Sequence, residues 1–153
     1  MPPPRGATNN AKAVPGARQG SRRGRLLKHE ILVVDDDHAM RVLLTRLLEG
    51  EGHAVETAVD AADALSRFRR GKFSLVISDV VMPGASGIEL RAAIAERDPD
   101  LPCVLVSGAD IDRGLRYAAS TYRTVFLAKP FEPDELLRLL DFTPHDRTEV
   151  AAS

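Results

Sequence analysis

Residues 74–87 read SLVISDVVMPGASG, and the fold follows from how this stretch must sit. Leu75, Val76 and Ile77 form a short apolar run with β-branched members, the pattern of a strand buried on both faces. Asp79 stands at its carboxyl end. Met82-Pro83-Gly84 then breaks regular structure, because proline lacks an N–H and glycine admits positive φ. A carboxylate is thereby placed on the lip of a loop, where open α/β sheets keep their ligand sites. Taken alone, Asp79 could equally serve only to help the chain turn. The flanking segments decide between the two.

On the N-terminal side, Ile31–Val34 is a second run typical of a central parallel strand, and it ends in Asp35, Asp36 and Asp37. Three adjacent acids are costly unless they face water or a positive group. Asp37 or His38 suits the cap of a helix from about Ala39 to Glu49. Met40, Leu43, Leu44, Leu47 and Leu48 make one apolar stripe along it, and Gly50 and Gly52 end it. His53–Ala58 reads as a short strand. Asp60 then caps a helix with Ala61, Ala64, Leu65 and Phe68 on one face.

On the C-terminal side, a helix is expected from about Gly87 to Arg97, with Ile88, Leu90, Ala93 and Ile94 packed and Asp98-Pro99-Asp100 as its stop. Pro102–Val106 is a fourth strand, with Ser107 and Gly108 at its end. A weakly apolar helix is expected from Asp110 to about Ala119. Val125–Ala128 is a fifth strand ended by Lys129-Pro130. A last helix starts near Pro133 and carries Leu136, Leu137, Leu139 and Leu140. The order is βα five times over. This predicts a doubly wound α/β fold, a five-stranded parallel sheet with helices on both faces. No internal repeat and no second domain is evident.

The chain of 153 residues has 44% hydrophobic and 28% charged residues, an ordinary globular balance. No apolar run approaches the roughly 20 residues of a membrane span, and the N-terminus lacks the apolar core of a signal peptide. Cys103 is the only cysteine, which excludes an internal disulfide and a thiolate zinc cage, and its CVLV context predicts a buried, inert thiol. A cytoplasmic location fits these features. The net charge of −1 hides an asymmetry, since Arg5, Lys12, Arg18, Arg22, Arg23, Arg25 and Lys28 all precede the first acid, Glu30. Residues 1–27 are expected to be a disordered basic extension and residues 143–153 a flexible tail. The basic leader could meet nucleic acid or an anionic membrane by charge alone. Without aromatic or helical patterning, a solvated tail is the preferred expectation. The acidic remainder argues against nucleic acid as a partner of the domain.

In a parallel sheet all strand ends on one edge face the same way. Asp35 and Asp36, Asp79, Ser107 and Lys129 each end a different strand and so converge on one rim. The second strand offers no such residue and belongs at the sheet's edge. Three carboxylates together call for a hard divalent cation, Mg²⁺ or alternatively Mn²⁺. Asp36 and Asp79 are the expected direct ligands, with Asp35 acting through a water and the Val81 backbone carbonyl completing the set. Lys129 offers an ammonium and Ser107 a hydroxyl to a phosphoryl oxygen. Such a cradle suits phosphoryl transfer, with Asp79 as the nucleophile that forms an acyl phosphate.

Together ILVVDDD, LVISDVVMPGASG, VLVSG and FLAKPF resemble the receiver domain of two-component response regulators, over about Glu30 to Leu140. The resemblance implies a flavodoxin-like receiver spanning 28–142 with strand order 2-1-3-4-5. It makes Asp79 the phosphoacceptor, Asp35, Asp36 and the Val81 carbonyl the metal ligands, and Pro130 a cis proline. The phosphoryl group would come from a sensor histidine kinase or a histidine phosphotransfer protein. The switch would be Ser107 moving toward it while Phe126 turns inward. Phe126 has no hydroxyl and could equally be plain core. Output would pass through the face of the fourth helix, fifth strand and fifth helix to an unknown downstream protein, and a phosphorylation-dependent homodimer is an allowed state. No effector segment is expected after the domain, so the implied protein is a single-domain regulator and not an enzyme.

Two departures stand out. Tyr122-Arg123 replaces the family's frequent Gly-Ala, which points to local rebuilding before the fifth strand. Val81 and Ala109, each two residues past a site residue, are both apolar where the family's attacking water sits, which predicts slow self-dephosphorylation. Two other functions compete. Asp35-Asp36-Asp37 contains the Asp-x-Asp of haloacid-dehalogenase phosphatases, but the acidic pair after Lys129 and a cap insertion are lacking. A pseudo-receiver that binds partners without phosphate is opposed by the intact acid set.

Overall fold

Three runs of apolar residues, each too short for a helix, form the centre of a parallel sheet. The computed structural model describes residues 29–108 and 123–140. The basic extension, Ala109, the helix expected over 110–119, Tyr122 and the tail from 143 lie outside the described residues. The elements run β1 (Glu30–Val34), α1 (His38–Gly50), β2 (Ala54–Ala58), α2 (Ala61–Arg67), β3 (Leu75–Asp79), α3 (Gly87–Arg97), β4 (Cys103–Ser107), β5 (Thr124–Ala128) and a last helix over 133–140. The strands pair in parallel in the order β2-β1-β3-β4-β5. This is the flavodoxin-like receiver order expected from the sequence.

Alternation along the strands splits the core into two layers. Leu32, Val34, Val76 and Leu105 pack with Ala61 and Ala64 of α2 and Leu90 and Ile94 of α3. Ile31, Val33, Ile77 and Val104 pack with Leu44 and Leu48 of α1 and with Leu136 and Leu140 of the last helix. Every residue of β3 and β4 is buried, whereas most of β2 is only half-buried, which is why β2 belongs at the edge. Its Glu56 is paired with Lys72 at 3.0 Å and Arg67 at 3.4 Å. Charges along an edge discourage pairing with a foreign strand.

Local signals account for the helix ends. The Asp37 side chain accepts from Ala39 N and caps α1, and Gly52 follows its end at φ +94°. Helix α2 stops one residue earlier than its apolar spacing suggests. Phe68 leaves it with extended backbone, yet stays buried against Phe73 at 6.3 Å between ring centres. Ser86 and Glu89 form a reciprocal capping box at the start of α3. The buried face of α3 is Gly87, Leu90, Arg91 and Ile94, with Arg91 where Ala93 was expected. Those four follow i, i+3, i+4, i+7, and an arginine stem is apolar enough to hold a place in the stripe. Cys103 is buried, and burial pushes its thiol up to about 12, as expected of an inert core cysteine. No helix among the described residues is long and apolar enough to cross a membrane.

Candidate functional site

Parallel strands deliver Asp35, Asp79, Ser107 and Lys129 to the same end of the sheet. Asp79 closes β3 opposite Val106, and Ser107 closes β4 opposite Ala128. Lys129 follows β5 directly, and its amide donates to the Ser107 carbonyl at 2.7 Å. The rim is therefore laced strand to strand. The Lys129–Pro130 peptide bond is cis, as the resemblance implied.

Carboxylate oxygens of Asp35, Asp36 and Asp79 lie within 4.8 Å of one another. Asp35 is 2% and Asp79 8% exposed, while Asp36 faces solvent. Two nearly buried acids so close to a third are held by surrounding donors. Asp37 N donates to Asp35 Oδ1 at 2.8 Å, and Lys129 Nζ stands 3.4 Å from Asp79 Oδ1. Burial raises the Asp79 carboxyl above its ordinary value. Lys129 pulls it down and Asp36 adds to the rise. Burial likewise raises Asp35, against the pull of the Asp37 amide and with a push from the Asp79 charge. A group of hard, mutually repelling oxygens at this spacing fits a divalent cation.

Of the remaining expected residues, Ser107 ends β4 at this rim, whereas Phe126 sits in the middle of β5. Ser107 is buried, and Phe126 is half-buried against the layer under α2 and α3. Phe126 lies opposite Leu105, and Ser107 is two residues further along β4, so the two belong to one sheet face. The Val80 carbonyl accepts from Gly87 N at 2.8 Å, and Val81 follows it in the loop. The Val81 side chain is 76% exposed.

The sequence model of the response regulator receiver domain matches residues 31–141. The chain belongs to that family. It is 36% identical over 129 residues to the transcriptional regulatory protein TcrA of Mycobacterium tuberculosis, covering 82% of this chain and 49% of that protein. It is 37% identical over 117 residues to an uncharacterized 14.6 kDa protein of Leptolyngbya boryana, covering 75% and 89%. The chain thus spans about half of the first relative and most of the second. Among solved structures, the Vibrio cholerae chemotaxis protein CheY4 matches with a TM-score of 0.68 at 29% identity, over 76% of this chain and 98% of that one. A Clostridium thermocellum receiver matches the fold with a TM-score of 0.75, over 79% and 98% at 24% identity. The receiver is a phosphoryl-accepting module of two-component signalling, a family that typically binds Mg²⁺ in an acidic pocket and meets histidine kinases or phosphotransfer proteins.

Two residues at this site escaped the sequence reading. Arg41 reads as an ordinary polar position on α1, and nothing in its spacing ties it to the acids. Gly87 reads as a helix start. Its signal was present, since glycine is a weak choice inside a helix unless another backbone comes close.

Proposed function

We propose that Asp79 accepts the phosphoryl group, from a phosphohistidine on a sensor histidine kinase or phosphotransfer protein, in a cytoplasmic pathway. The observation that carries this reading is the position of Asp79, nearly buried at a strand end, beside Lys129 and within reach of two further acids. An Asp79 oxygen bonds to phosphorus as the donor's P–N bond breaks, which yields an acyl phosphate. Asp35, Asp36, Asp79 and the Val81 carbonyl would hold Mg²⁺ or Mn²⁺. The cation would offset carboxylate and phosphoryl charge. Lys129 supplies a second positive charge, and Ser107 a hydroxyl for a phosphoryl oxygen. The module assists its own phosphotransfer and is not a turnover enzyme. Ser107 and Phe126, sharing one sheet face, couple the phosphoryl state to the surface of β5 and the last helix. There a hollow of about 480 Å³ is lined by Phe126, Ala128, Pro130, Glu135 and Arg138.

Intact mass after incubation with Mg²⁺ and acetyl phosphate, and separately with a phosphorylated kinase, tests the assignment. One added phosphoryl group, confined on fragmentation to residues 75–91 and absent in EDTA, is expected. No gain from either donor overturns it.

The exposed valine two residues past Asp79 also bears on the lifetime of the product. An apolar side chain cannot orient the attacking water, so the acyl phosphate should persist for minutes or longer in Mg²⁺. Val81→Asn should shorten that lifetime on the order of tenfold, a fraction of what a positioned base achieves. A wild-type half-life of seconds, read by mass over time, would contradict this.

A further inference from the structure

We propose that Arg41 is a positioning residue for the acidic cluster, acting through the Asp35 backbone. This rests on the cluster being the cation site proposed above. The loop from β1 to α1 is held at every residue but one. Asp35 N donates to Ala58 O at 3.1 Å, Asp35 Oδ1 accepts from Asp37 N at 2.8 Å, and Asp37 Oδ1 accepts from Ala39 N at 3.0 Å. The Asp35 carbonyl leaves the sheet ladder at the strand's end and receives the Arg41 guanidinium at 2.7 Å. Among the described residues of this loop, Asp36 alone makes no such bond of its own, so its direction is set by the peptides on either side. The first of those peptides is the one Arg41 holds. The guanidinium is steadied in turn by His38 Nδ1, 3.4 Å from Nη2, and it sits one helical turn into α1. Charge-assisted bonds to a carbonyl are among the stronger neutral-acceptor contacts, and a planar guanidinium fixes direction as well as distance.

Two accounts of Arg41 differ in sign. As a bare positive charge beside three acids it would weaken cation binding, and removing it would tighten binding. As the clamp on the Asp35 peptide it keeps Asp36 aimed at Asp79, and removing it weakens binding. Loss of outer-sphere partners of metal ligands typically costs about tenfold or more in affinity.

The test is isothermal titration of Mg²⁺ into the full chain and into Arg41→Met and Arg41→Lys, with melting curves in EDTA alongside. The expected result is about a tenfold weaker Mg²⁺ affinity for Arg41→Met. Partial recovery is expected in Arg41→Lys, with midpoints in EDTA close to wild type. Equal or tighter Mg²⁺ binding by Arg41→Met overturns the proposal. A loss of affinity that only tracks loss of folded protein in EDTA overturns it as well. Wild type that takes up no Mg²⁺ would instead bring down the cation site, and this inference with it.

Discussion

Gly87→Ala should cost the receiver about 1–3 kcal/mol of stability, the range for overpacking a core, and slow phosphorylation at least tenfold. A Cβ at this position would fall inside the contact shell of the Asp79 carbonyl oxygen, with the Asp79 carbonyl carbon and Ser78 Oγ both at 3.0 Å. The obstacle is strand backbone, which no rotamer change relieves. Helix α3 cannot simply retreat either. Gly87 N is bonded to Val80 O at 2.8 Å, and Val80 N to Val106 O at 3.0 Å, so moving the helix pulls on the loop after Asp79 and on the sheet. That loop carries Val81, and a shift of about 1 Å in a reacting group can cost on the order of 100-fold in rate. The measurements are a melting curve and the labelling rate at a temperature where circular dichroism shows the variant folded. Gly50→Ala is the control, because nothing lies within 4 Å of its Cβ position. It should sit within about 0.5 kcal/mol of wild type. A Gly87→Ala variant that melts and labels like wild type would mean the helix has slack that the packing does not show.

The fold was legible because its strands are short, apolar and β-branched, and because turn residues separate them from amphipathic helices. Periodicity and turn residues together predict five βα units, of which the helix over 110–119 lies outside the described residues, and the parallel order then places Asp35, Asp79, Ser107 and Lys129 on one rim without any knowledge of distances. What periodicity cannot see is a polar residue inside an apolar stripe. Arg91 holds a buried place on α3 that Ala93 was expected to share, since only its stem is apolar. Phe68 is apolar at the right spacing for a helix, yet the chain turns extended there and buries the ring regardless. Backbone contacts are harder still. The guanidinium of Arg41 meets a carbonyl six residues earlier, and Gly87 meets one eight residues earlier. The Arg41 contact leaves no mark in the sequence, and the Gly87 contact leaves only a glycine at a helix start. The carboxylates were found because charge repulsion makes a string of acids conspicuous, whereas the groups that aim them carry no such cost.

Asp79→Asn should lose all phosphoryl label and yet melt higher than wild type in EDTA at neutral pH. Two effects on Asp79 oppose each other. The ion pair with Lys129 at 3.4 Å favours the carboxylate, and burial beside Asp35 and Asp36 disfavours it. Burial is the larger, so the carboxyl titrates higher in the folded chain than in the unfolded one. With that sign, ionising Asp79 costs stability. The cost is absent below the unfolded pKa, near 4, and complete above the raised folded one. Asparagine removes it with little change of shape. The gap between variant and wild type should therefore be widest at neutral pH and close as pH falls through the raised Asp79 value toward the ordinary carboxylate range. Mg²⁺ should act the other way, lifting the wild-type midpoint by mass action and the variant less, because a ligand oxygen is gone. Two outcomes would break the argument at different points. A variant that melts lower than wild type in EDTA would mean the Lys129 pair outweighs burial and the acids are not held at a cost. Label persisting in Asp79→Asn would move the nucleophile elsewhere, to Asp35 and the phosphatase chemistry that Asp35-Asp36-Asp37 also permits.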